Sequence, residues 1–372
     1  MKKTTIFKGV NCVKENLSAL AIPSKCLIVT GKSSAAKSGA LSDITDVLTE
    51  AGTEFIVYNG ITENPLSDSC REAGKLGHDF GAELVIGIGG GSPLDAAKAA
   101  AVFAMAPELS DDELLAPGKV TDALPVYTVP LTAGTGSEVN ATAVMTVKDE
   151  TGDLKKKSFS SSAVLPLCAF LDPRYLKTLN RNYTISTAID AFCHCYESFL
   201  SPKSTPESEH DALEGGRIIW RALVSNDFIP NENDAAGLSS ETRLTMLEGA
   251  AYGGRAIMIT GTGFTHPLGY GLSIRYGIPH GFACGAFTGK YTEYNMKIPY
   301  GKERIEHFAE YIGASPDLIA EVIPALSDIN LSFTEEELLQ LAAAASGAKN
   351  YKNSPAVIDD GDAEEILRAL FG

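Results

Sequence analysis

The stretch AELVIGIGGGSPLDAAKAA, residues 82–100, holds a strand, a glycine turn and the start of a helix in unbroken succession. Its Val/Ile run is continuous rather than alternating, which is typical of a strand buried on both faces of a parallel sheet. Gly89, Gly90 and Gly91 leave backbone N–H groups accessible ahead of a helix, where a pyrophosphate binds well. The turn therefore predicts a nucleotide-binding loop, although a tight turn that needs glycine for steric reasons explains the same residues.

The residues that follow the glycines predict how this helix begins. Ser92 is expected to cap the helix, Pro93 to take its first position and Asp95 to close a variant of the capping box. Such a start would fix the direction in which the backbone N–H groups point.

Similar strand and helix patterns surround this stretch. KCLIVTGKSS, from Lys25, and TEFIVYNG, Thr53–Gly60, have the composition of strands, and each precedes a segment with helical spacing. A further strand is predicted at Val126–Pro130 and another in PLCAFL. Strands that alternate with helices indicate a doubly wound α/β domain with a parallel sheet.

A second loop rich in Gly, Thr and Ser follows the strand Val126–Pro130. Its hydroxyl groups belong to Thr132, Thr135 and Ser137. Loops at the carboxyl ends of parallel strands line the crevice in which open α/β sheets bind ligands, so these hydroxyls are expected near the nucleotide. Ordinary turn chemistry is the alternative. The later basic run that ends at Lys157 is typical of a solvated hairpin, and contact between Lys157 and the cofactor is its second interpretation.

From about Thr184 onward, strand patterns fade and helical periodicity dominates. The sequence therefore predicts two domains, an α/β domain over 1–180 and an all-helical domain over 181–372. Within the second, the small residues from Gly249 to Gly254 predict a helix packed closely on a neighbour.

That neighbour is expected to be the helix ISTAIDAFCHCYESFL, residues 185–200, in which Asp190 and His194 lie one turn apart on one face. A carboxylate and an imidazole so placed can share a divalent cation if other ligands converge on it, and His266 in FTHPLGYG and His280 in GIPHGFACG are the candidates. One oxygen and three nitrogens suit Fe(II) or Zn(II), and do not suit Mg or Ca. A surface hydrogen bond between Asp190 and His194 is the alternative.

Composition limits the partners and the compartment. The 372 residues carry a net charge of −16, which argues against binding nucleic acid or an anionic membrane surface. No apolar run approaches about 18 residues and no secretory signal is recognisable. Seven cysteines without framework spacing predict reduced, mostly buried thiols and a cytoplasmic protein. Cys193 and Cys195 are expected to pack, because adjacent helical positions point about 100° apart.

Several motifs together resemble the iron-containing alcohol dehydrogenase family, in its order and at its spacing along nearly the whole chain. They are GGGSPLDAAK (Gly89–Lys98), PLTAGTGSEV (Pro130–Val139), FLDPRYL (Phe170–Leu176), DAFCH (Asp190–His194), HPLGY (His266–Tyr270) and PHG (Pro279–Gly281). The resemblance implies a Rossmann-like NAD(P)-binding domain and a helical domain, the architecture that dehydroquinate synthases share. It implies that the metal ligands are Asp190, His194, His266 and His280. It implies that the cofactor is bound by Gly89, Gly90, Gly91, Ser92, Asp95, Thr132, Thr135 and Ser137.

The resemblance also implies hydride transfer between NAD(P)(H) and a small primary alcohol, diol or aldehyde, with the metal acting as a Lewis acid on the substrate oxygen. Many relatives carry a histidine where this chain has Tyr270, so the proton is expected to leave through water or the cofactor ribose. A homo-oligomer, most simply a dimer, is expected. The alternatives are a dehydroquinate synthase, a glycerol-type dehydrogenase, or a nucleotide-binding protein that kept the fold and lost the chemistry.

Two expectations concern specificity. Arg255 is unusual in a small, apolar run and could face the substrate, which would favour an anionic aldehyde such as sulfo- or phosphonoacetaldehyde, unless it lies on the helix surface. The residues after the first predicted strand are Gly31, Lys32, Ser33 and Ser34. NAD-preferring relatives carry Asp at the position of Gly31, and hydroxyls and an ammonium group can instead hold a 2′-phosphate, so NADP(H) is the expected cofactor.

Overall fold

The computed structural model describes residues 3–372 apart from 21, 149–151, 153 and 226–236. The chain divides into two compact units. The first comprises Met1–Leu179 with Leu238–Leu247, and the second comprises Asn180–Gly237 with Glu248–Gly372. The sequence pattern gives no sign that Leu238–Leu247 groups with the first unit.

The first unit contains the strands. They are β1 (Thr5–Lys8), β2 (Lys25–Gly31), β3 (Glu54–Ile61), β4 (Leu84–Gly89), β5 (Val126–Pro130), β6 (Thr142–Lys148), β7 (Leu154–Ser160) and β8 (Cys168–Leu171). Its helices are α1 (Cys12–Asn16), α2 (Ser34–Ser38), α3 (Ala40–Glu50), α4 (Ser67–Phe80), α5 (Gly91–Met105) and α6 (Asp111–Leu115). The sequence pattern does not predict the short edge strand β1.

Six of these strands form one parallel sheet in the order β1-β8-β5-β4-β2-β3. Successive residues of a strand point into two different hydrophobic cores. On β2, Leu27 lies in one core and Ile28 in the other, and on β4 the same is true of Val85 and Ile86. Because both faces are covered, the strands must be apolar without alternation. This confirms the predicted doubly wound α/β architecture. The strands β6 and β7 form a separate antiparallel hairpin.

The predicted start of α5 is wrong. The helix begins at Gly91, with Gly90 at the N-cap and no side-chain cap, so Ser92 already lies inside it. The Ser92 hydroxyl instead accepts a hydrogen bond from the Asn64 N–H at 3.2 Å. Asp95 accepts from the Ser137 hydroxyl at 2.5 Å and from the Val144 N–H at 3.0 Å. Partners distant in the sequence therefore take the groups that local pattern assigns to a cap.

The remaining helices are α7 (Arg181–Leu200), α8 (Pro206–Val224), α9 (Ser240–Thr260), α10 (Thr265–Tyr276), α11 (His280–Gly285), α12 (Thr288–Met296), α13 (Pro299–Ile312), α14 (Pro316–Ser327), α15 (Glu335–Ala345) and α16 (Asp360–Phe371). Almost every residue of α7 from Thr184 to Leu200 is buried. None of the helices formed by the described residues combines the length and the apolar character needed to cross a membrane.

Glycines let the neighbouring helices approach α7 closely. A Cβ atom on Gly253 of α9 would lie 3.3 Å from the His194 Cβ, and one on Gly215 of α8 would lie 2.7 Å from the Cys195 sulfur. The predicted close packing of the small-residue helix is therefore confirmed. Cys193 contacts the Thr288 hydroxyl at 3.7 Å. Both cysteines beside His194 pack in the interior, as predicted.

Candidate metal centre and cofactor loops

The helices α7, α10 and α11 bring the four predicted metal ligands together around the Oδ1 atom of Asp190. The Nε2 atoms of His194 and His266 each lie 3.6 Å from it, and that of His280 lies 3.8 Å away. These distances are too long for hydrogen bonds. Two ligands of one tetrahedral ion, each about 2.1 Å from it, lie about 3.4 Å apart. Each imidazole nitrogen therefore lies from the Asp190 Oδ1 at nearly the distance that separates two ligands of one ion.

Local geometry explains why these helices meet. Asp190 and His194 are one turn apart on α7, and His280 is the first residue of α11. The next residue, Gly281, lies directly on α7: a Cβ atom there would be 1.7 Å from the Ser186 carbonyl oxygen and 3.0 Å from the Asp190 nitrogen. Only glycine permits this contact, so the PHG motif places His280 beside Asp190.

Burial makes the group unstable without a cation. Asp190 and His266 are 2% and 3% exposed, and within the described part of the chain the Asp190 Oδ1 and the His266 Nε2 make no hydrogen bond. Each unsatisfied buried polar group costs about 1–3 kcal/mol, and more when it is charged. One divalent ion between them would satisfy both atoms, so these residues fit the metal that the sequence predicts.

A second buried carboxylate, Glu197, orients His266. Its Oε2 lies 2.6 Å from the His266 Nδ1. Its Oε1 accepts from the Thr265 N–H at 3.0 Å and from the Thr265 hydroxyl at 2.6 Å. A carboxylate on one imidazole nitrogen fixes the ring and directs the other nitrogen to a metal. Sequence reasoning missed Glu197, although Asp190, His194 and Glu197 follow the i, i+4, i+7 spacing of one helix face.

The charges of the group favour a cation strongly. Burial acts to raise the pKa of Asp190, but the three imidazoles outweigh it and hold that pKa well below its usual range. Burial acts in the same direction on Glu197, and His266 and Thr265 lower its pKa. Burial would lower the pKa of His266, yet Glu197 and Asp190 raise it to about 10. Two buried carboxylates therefore dominate the local field.

Tyr270 and His280 form the more exposed side of the group. Their rings stack with centroids 5.6 Å apart and an interplanar angle of 28°. His280 keeps 29% of its side chain exposed, whereas the other three predicted ligands are buried. The group is therefore reached from the side of this stacked pair.

The two predicted cofactor loops of the first unit lie against each other. A Cβ atom on Gly91 would lie 2.7 Å from the Thr135 methyl group, and one on Gly90 would lie 3.2 Å from that of Thr132. A Cβ atom on Gly89 would lie 2.4 Å from Pro93. The glycines are therefore needed for close packing, whether or not a nucleotide is bound.

A buried lysine, which sequence reasoning also missed, ties these loops together. The Lys98 ammonium donates to the Ser137 hydroxyl at 2.8 Å and to the Thr142 carbonyl at 2.7 Å, and it lies 3.4 Å from Asp95. Burial lowers its pKa, while Asp95 acts in the opposite direction. Asp95 and Ser137 thus form hydrogen bonds with each other, and Lys98 donates a further one to Ser137. A lone lysine in the apolar run AAKAAAVFA was the available signal.

The remaining predicted cofactor residues are partly or fully exposed. Gly31 ends β2, and Lys32, Ser33 and Ser34 follow it with exposed side chains. Lys157 is exposed on the hairpin strand β7, as expected for a solvated hairpin.

The structure gives Arg255 a carboxylate partner, which argues against the interpretation that it faces the substrate. Its guanidinium donates two hydrogen bonds to the Asp211 carboxylate, both at 2.9 Å, and it stacks 4.6 Å above the Tyr252 ring. Arg255 is therefore neutralised by Asp211 inside the helical unit. This ion pair argues against Arg255 as the group that selects an anionic aldehyde.

An α/β unit with glycine-rich loops at its strand ends and a helical unit with a carboxylate and three imidazoles fit the class of metal-dependent dehydrogenases. Comparison with known proteins identifies the family. The iron-containing alcohol dehydrogenase family matches residues 3–173, and the C-terminal part of the Fe-containing alcohol dehydrogenase family matches residues 184–371. The chain belongs to this family.

Individual members of this family are similar to the chain along most of its length. A long-chain primary alcohol dehydrogenase of Thermoanaerobacter ethanolicus is 31% identical over 291 residues, which cover 76% of this chain and 70% of the relative. An iron-containing alcohol dehydrogenase of Thermotoga maritima is 32% identical, with a TM-score of 0.87 over 99% of this chain and 98% of the relative. A sulfoacetaldehyde reductase of Bifidobacterium kashiwanohense, solved with NAD+, is 25% identical, with a TM-score of 0.85 over 100% and 97%. The chain is an NAD(P)-dependent and metal-dependent alcohol dehydrogenase.

Proposed function

We propose that this protein interconverts short aldehydes and primary alcohols with NADP(H), and that Asp190, His194, His266 and His280 hold its metal ion. The observation that carries the proposal is the placement of three imidazole nitrogens within 3.8 Å of one buried carboxylate oxygen. Bound iron or zinc would supply a Lewis acid that lowers the pKa of an alcohol and polarises a carbonyl.

The protein's own residues orient and enclose the reacting group. Glu197 holds the ring of His266 in place through the 2.6 Å contact at Nδ1. The substrate approaches from the side of Tyr270 and His280, because the other three ligands are buried. Tyr270 stacks on His280, so its ring limits the size of the alcohol carbon chain on that side. With tyrosine at this position, the proton of the alcohol leaves through water or the cofactor ribose.

For the cofactor, we propose that the pyrophosphate binds at Gly89, Gly90, Gly91 and Ser92, with Thr132 and Thr135 beside it. The close packing of the glycines on the two threonines supports this placement. Asp95 and Ser137 then act through Lys98 by holding the two loops together. Lys32, Ser33 and Ser34 bind the 2′-phosphate of NADP(H), and Lys157 is the second candidate for that contact.

Reduction of a small anionic aldehyde is a second candidate, favoured by the similarity to a sulfoacetaldehyde reductase. The ion pair between Arg255 and Asp211 removes the cation on which this candidate depended. We therefore propose neutral aldehydes as the preferred substrates.

We also propose that the first unit binds the nucleotide and the second the metal, and that the protein is a cytoplasmic homodimer. The seven cysteines, all buried and none in a disulfide, support a reducing compartment.

Replacement of His266 tests the metal assignment. His266→Ala should lose most of the bound metal and most of the activity, while circular dichroism shows a folded protein, because the sheet of the first unit has its own cores. The matched control is His210→Ala, which removes an exposed imidazole from α8. Metal content and turnover at the wild-type level in His266→Ala would remove this residue from the ligand set.

A further inference from the structure

We propose that Cys284 is a further ligand of this metal ion and binds it through its thiolate. The proposal rests on the metal site proposed above, and it adds a sulfur donor to a set of oxygen and nitrogen ligands. It therefore concerns which metal the protein prefers, beyond the fact that it holds one.

The helix α11 places the Cys284 sulfur beside the proposed metal ligands. Cys284 lies four residues after His280, on the same helix face, and its Sγ is 3.7 Å from both ring nitrogens of that histidine. One donor atom each from Asp190, His266, His280 and Cys284 all lie within 4.8 Å of one another. A zinc ion lies about 2.3 Å from a thiolate sulfur and about 2.1 Å from an imidazole nitrogen, so donor atoms that share one ion lie within a few ångströms of one another. The Cys284 sulfur therefore lies close enough to the other three donors to share an ion with them.

The unpaired atoms of the group point to the same position. The Asp190 Oδ1 and the His266 Nε2 are buried and lack hydrogen bonds within the described residues, and their residues belong to the group that includes Cys284. A thiol packed in an ordinary apolar interior has no such atoms beside it. Here the sulfur lies within 4.8 Å of a donor atom of Asp190, whose buried carboxylate a cation would satisfy.

The other cysteines near the metal helix do not share this position. The Cys193 sulfur contacts the Thr288 hydroxyl at 3.7 Å, and the Cys195 sulfur lies against Gly215 and Gly253. Both are buried on α7, one residue on either side of His194. They therefore offer matched controls with the same chemistry and a similar environment.

A thiolate ligand has a consequence for metal choice. Thiolates are soft donors, which zinc and cobalt accept readily, whereas a set of one carboxylate and three imidazoles suits iron as well. The thiol proton goes to solvent when the sulfur–metal bond forms. Cys284 should thus tighten zinc binding more than ferrous iron binding.

Titration of the metal-stripped full chain with Co(II) tests the proposal. Cobalt bound in the site gives d–d bands in the visible spectrum, and a cobalt–thiolate bond adds an intense sulfur-to-metal charge-transfer band in the near ultraviolet. We expect both in the wild type and in Cys193→Ala. We expect Cys284→Ser to keep the d–d bands and to lose the charge-transfer band. Its dissociation constant for zinc should rise about tenfold or more, with a smaller change for ferrous iron.

The outcomes separate the two proposals. Visible bands without a charge-transfer band in the wild type would show that the metal site exists and that Cys284 is not a ligand. A charge-transfer band that survives in Cys284→Ser would overturn the assignment of the sulfur to this residue. An absence of cobalt binding in the wild type would overturn the proposed metal site and this inference with it.

Discussion

Asp190 and Glu197, two buried carboxylates on α7, face the two nitrogens of one imidazole. The Asp190 Oδ1 lies 3.6 Å from the His266 Nε2, and the Glu197 Oε2 lies 2.6 Å from the Nδ1. Burying an ion without a partner costs several kcal/mol, so both carboxylates depend on positive charge between them. Glu197 should therefore control how tightly the metal is held, although it does not touch the metal.

Neutralising Glu197 tests this role. Glu197→Gln removes one of the two negative charges and weakens the hydrogen bond that orients His266. Metal affinity should fall about 10–100-fold, as is usual when a residue that orients a metal ligand is lost. Competition with a chromophoric chelator measures the dissociation constant directly, independently of turnover.

The control is Glu310→Gln, which neutralises an exposed carboxylate on α13. It should leave metal affinity unchanged, and Glu197→Asp should restore part of the loss. If Glu197→Gln bound metal as tightly as the control, the contact between Glu197 and His266 would not affect metal affinity.

At the level of elements, the contact between α7 and α11 sets the position of His280. Gly281 has no room for a side chain, since its Cβ would lie 1.7 Å from the Ser186 carbonyl oxygen. Gly281→Ala should push α11 away from α7 and move the His280 imidazole from Asp190. We expect at least a tenfold loss of metal affinity, on the order of 1.4 kcal/mol or more.

Calorimetric titration with zinc measures this loss. Gly361→Ala, in the first turn of α16, is the control, because the nearest atom to its Cβ is the end of the Asp359 side chain at 3.2 Å. Wild-type zinc affinity in Gly281→Ala would mean that α11 can move without disturbing the ligand group.

The segment between β2 and α2 should decide between NADP(H) and NAD(H). A carboxylate at Gly31 would test it, but a Cβ there lies 3.3 Å from the Ile61 carbonyl oxygen and strains the strand. Lys32 is exposed, so Lys32→Ala is the cleaner change. We expect kcat/KM for NADPH to fall about tenfold, or about 1.4 kcal/mol, with little change for NADH.

Lys157→Ala is the matched control, since it removes an exposed lysine from the hairpin. If Lys157→Ala shifted the NADPH to NADH ratio and Lys32→Ala did not, the hairpin would be the element that binds the 2′-phosphate. A wild type that already prefers NADH would contradict both assignments.

At the scale of the whole molecule, the net charge of −16 repels anionic substrates over long distances. Salt screens this repulsion, and the screening length is about 10 Å at 0.1 M ionic strength. For sulfoacetaldehyde, kcat/KM should therefore rise with salt, whereas for a neutral aldehyde of similar size it should stay constant. Steady-state kinetics at several salt concentrations measure this difference. A value for sulfoacetaldehyde that falls with salt would instead reveal a local cationic pocket.

Local patterns predict much of the architecture, because a covered parallel sheet requires continuous apolar strands and a helix places residues i and i+4 on one face. Helical spacing alone pairs Asp190 with His194. It does not find the roles of Lys98 and Glu197, since their partners come from distant parts of the chain. The predicted cap of α5 is wrong for the same reason: Asp95 accepts from Ser137, 42 positions away, rather than from its own helix.

Because α7 is almost entirely buried, substitutions along it are expected to be poorly tolerated. Its face toward α8, α9 and α11 has no spare volume, so a library of variants there would mostly yield unfolded or metal-free protein. Tyr270 is partly exposed and borders the ligand group through its ring contact with His280. Varying Tyr270 should change which alcohols fit, while the scaffold that holds the ion stays intact.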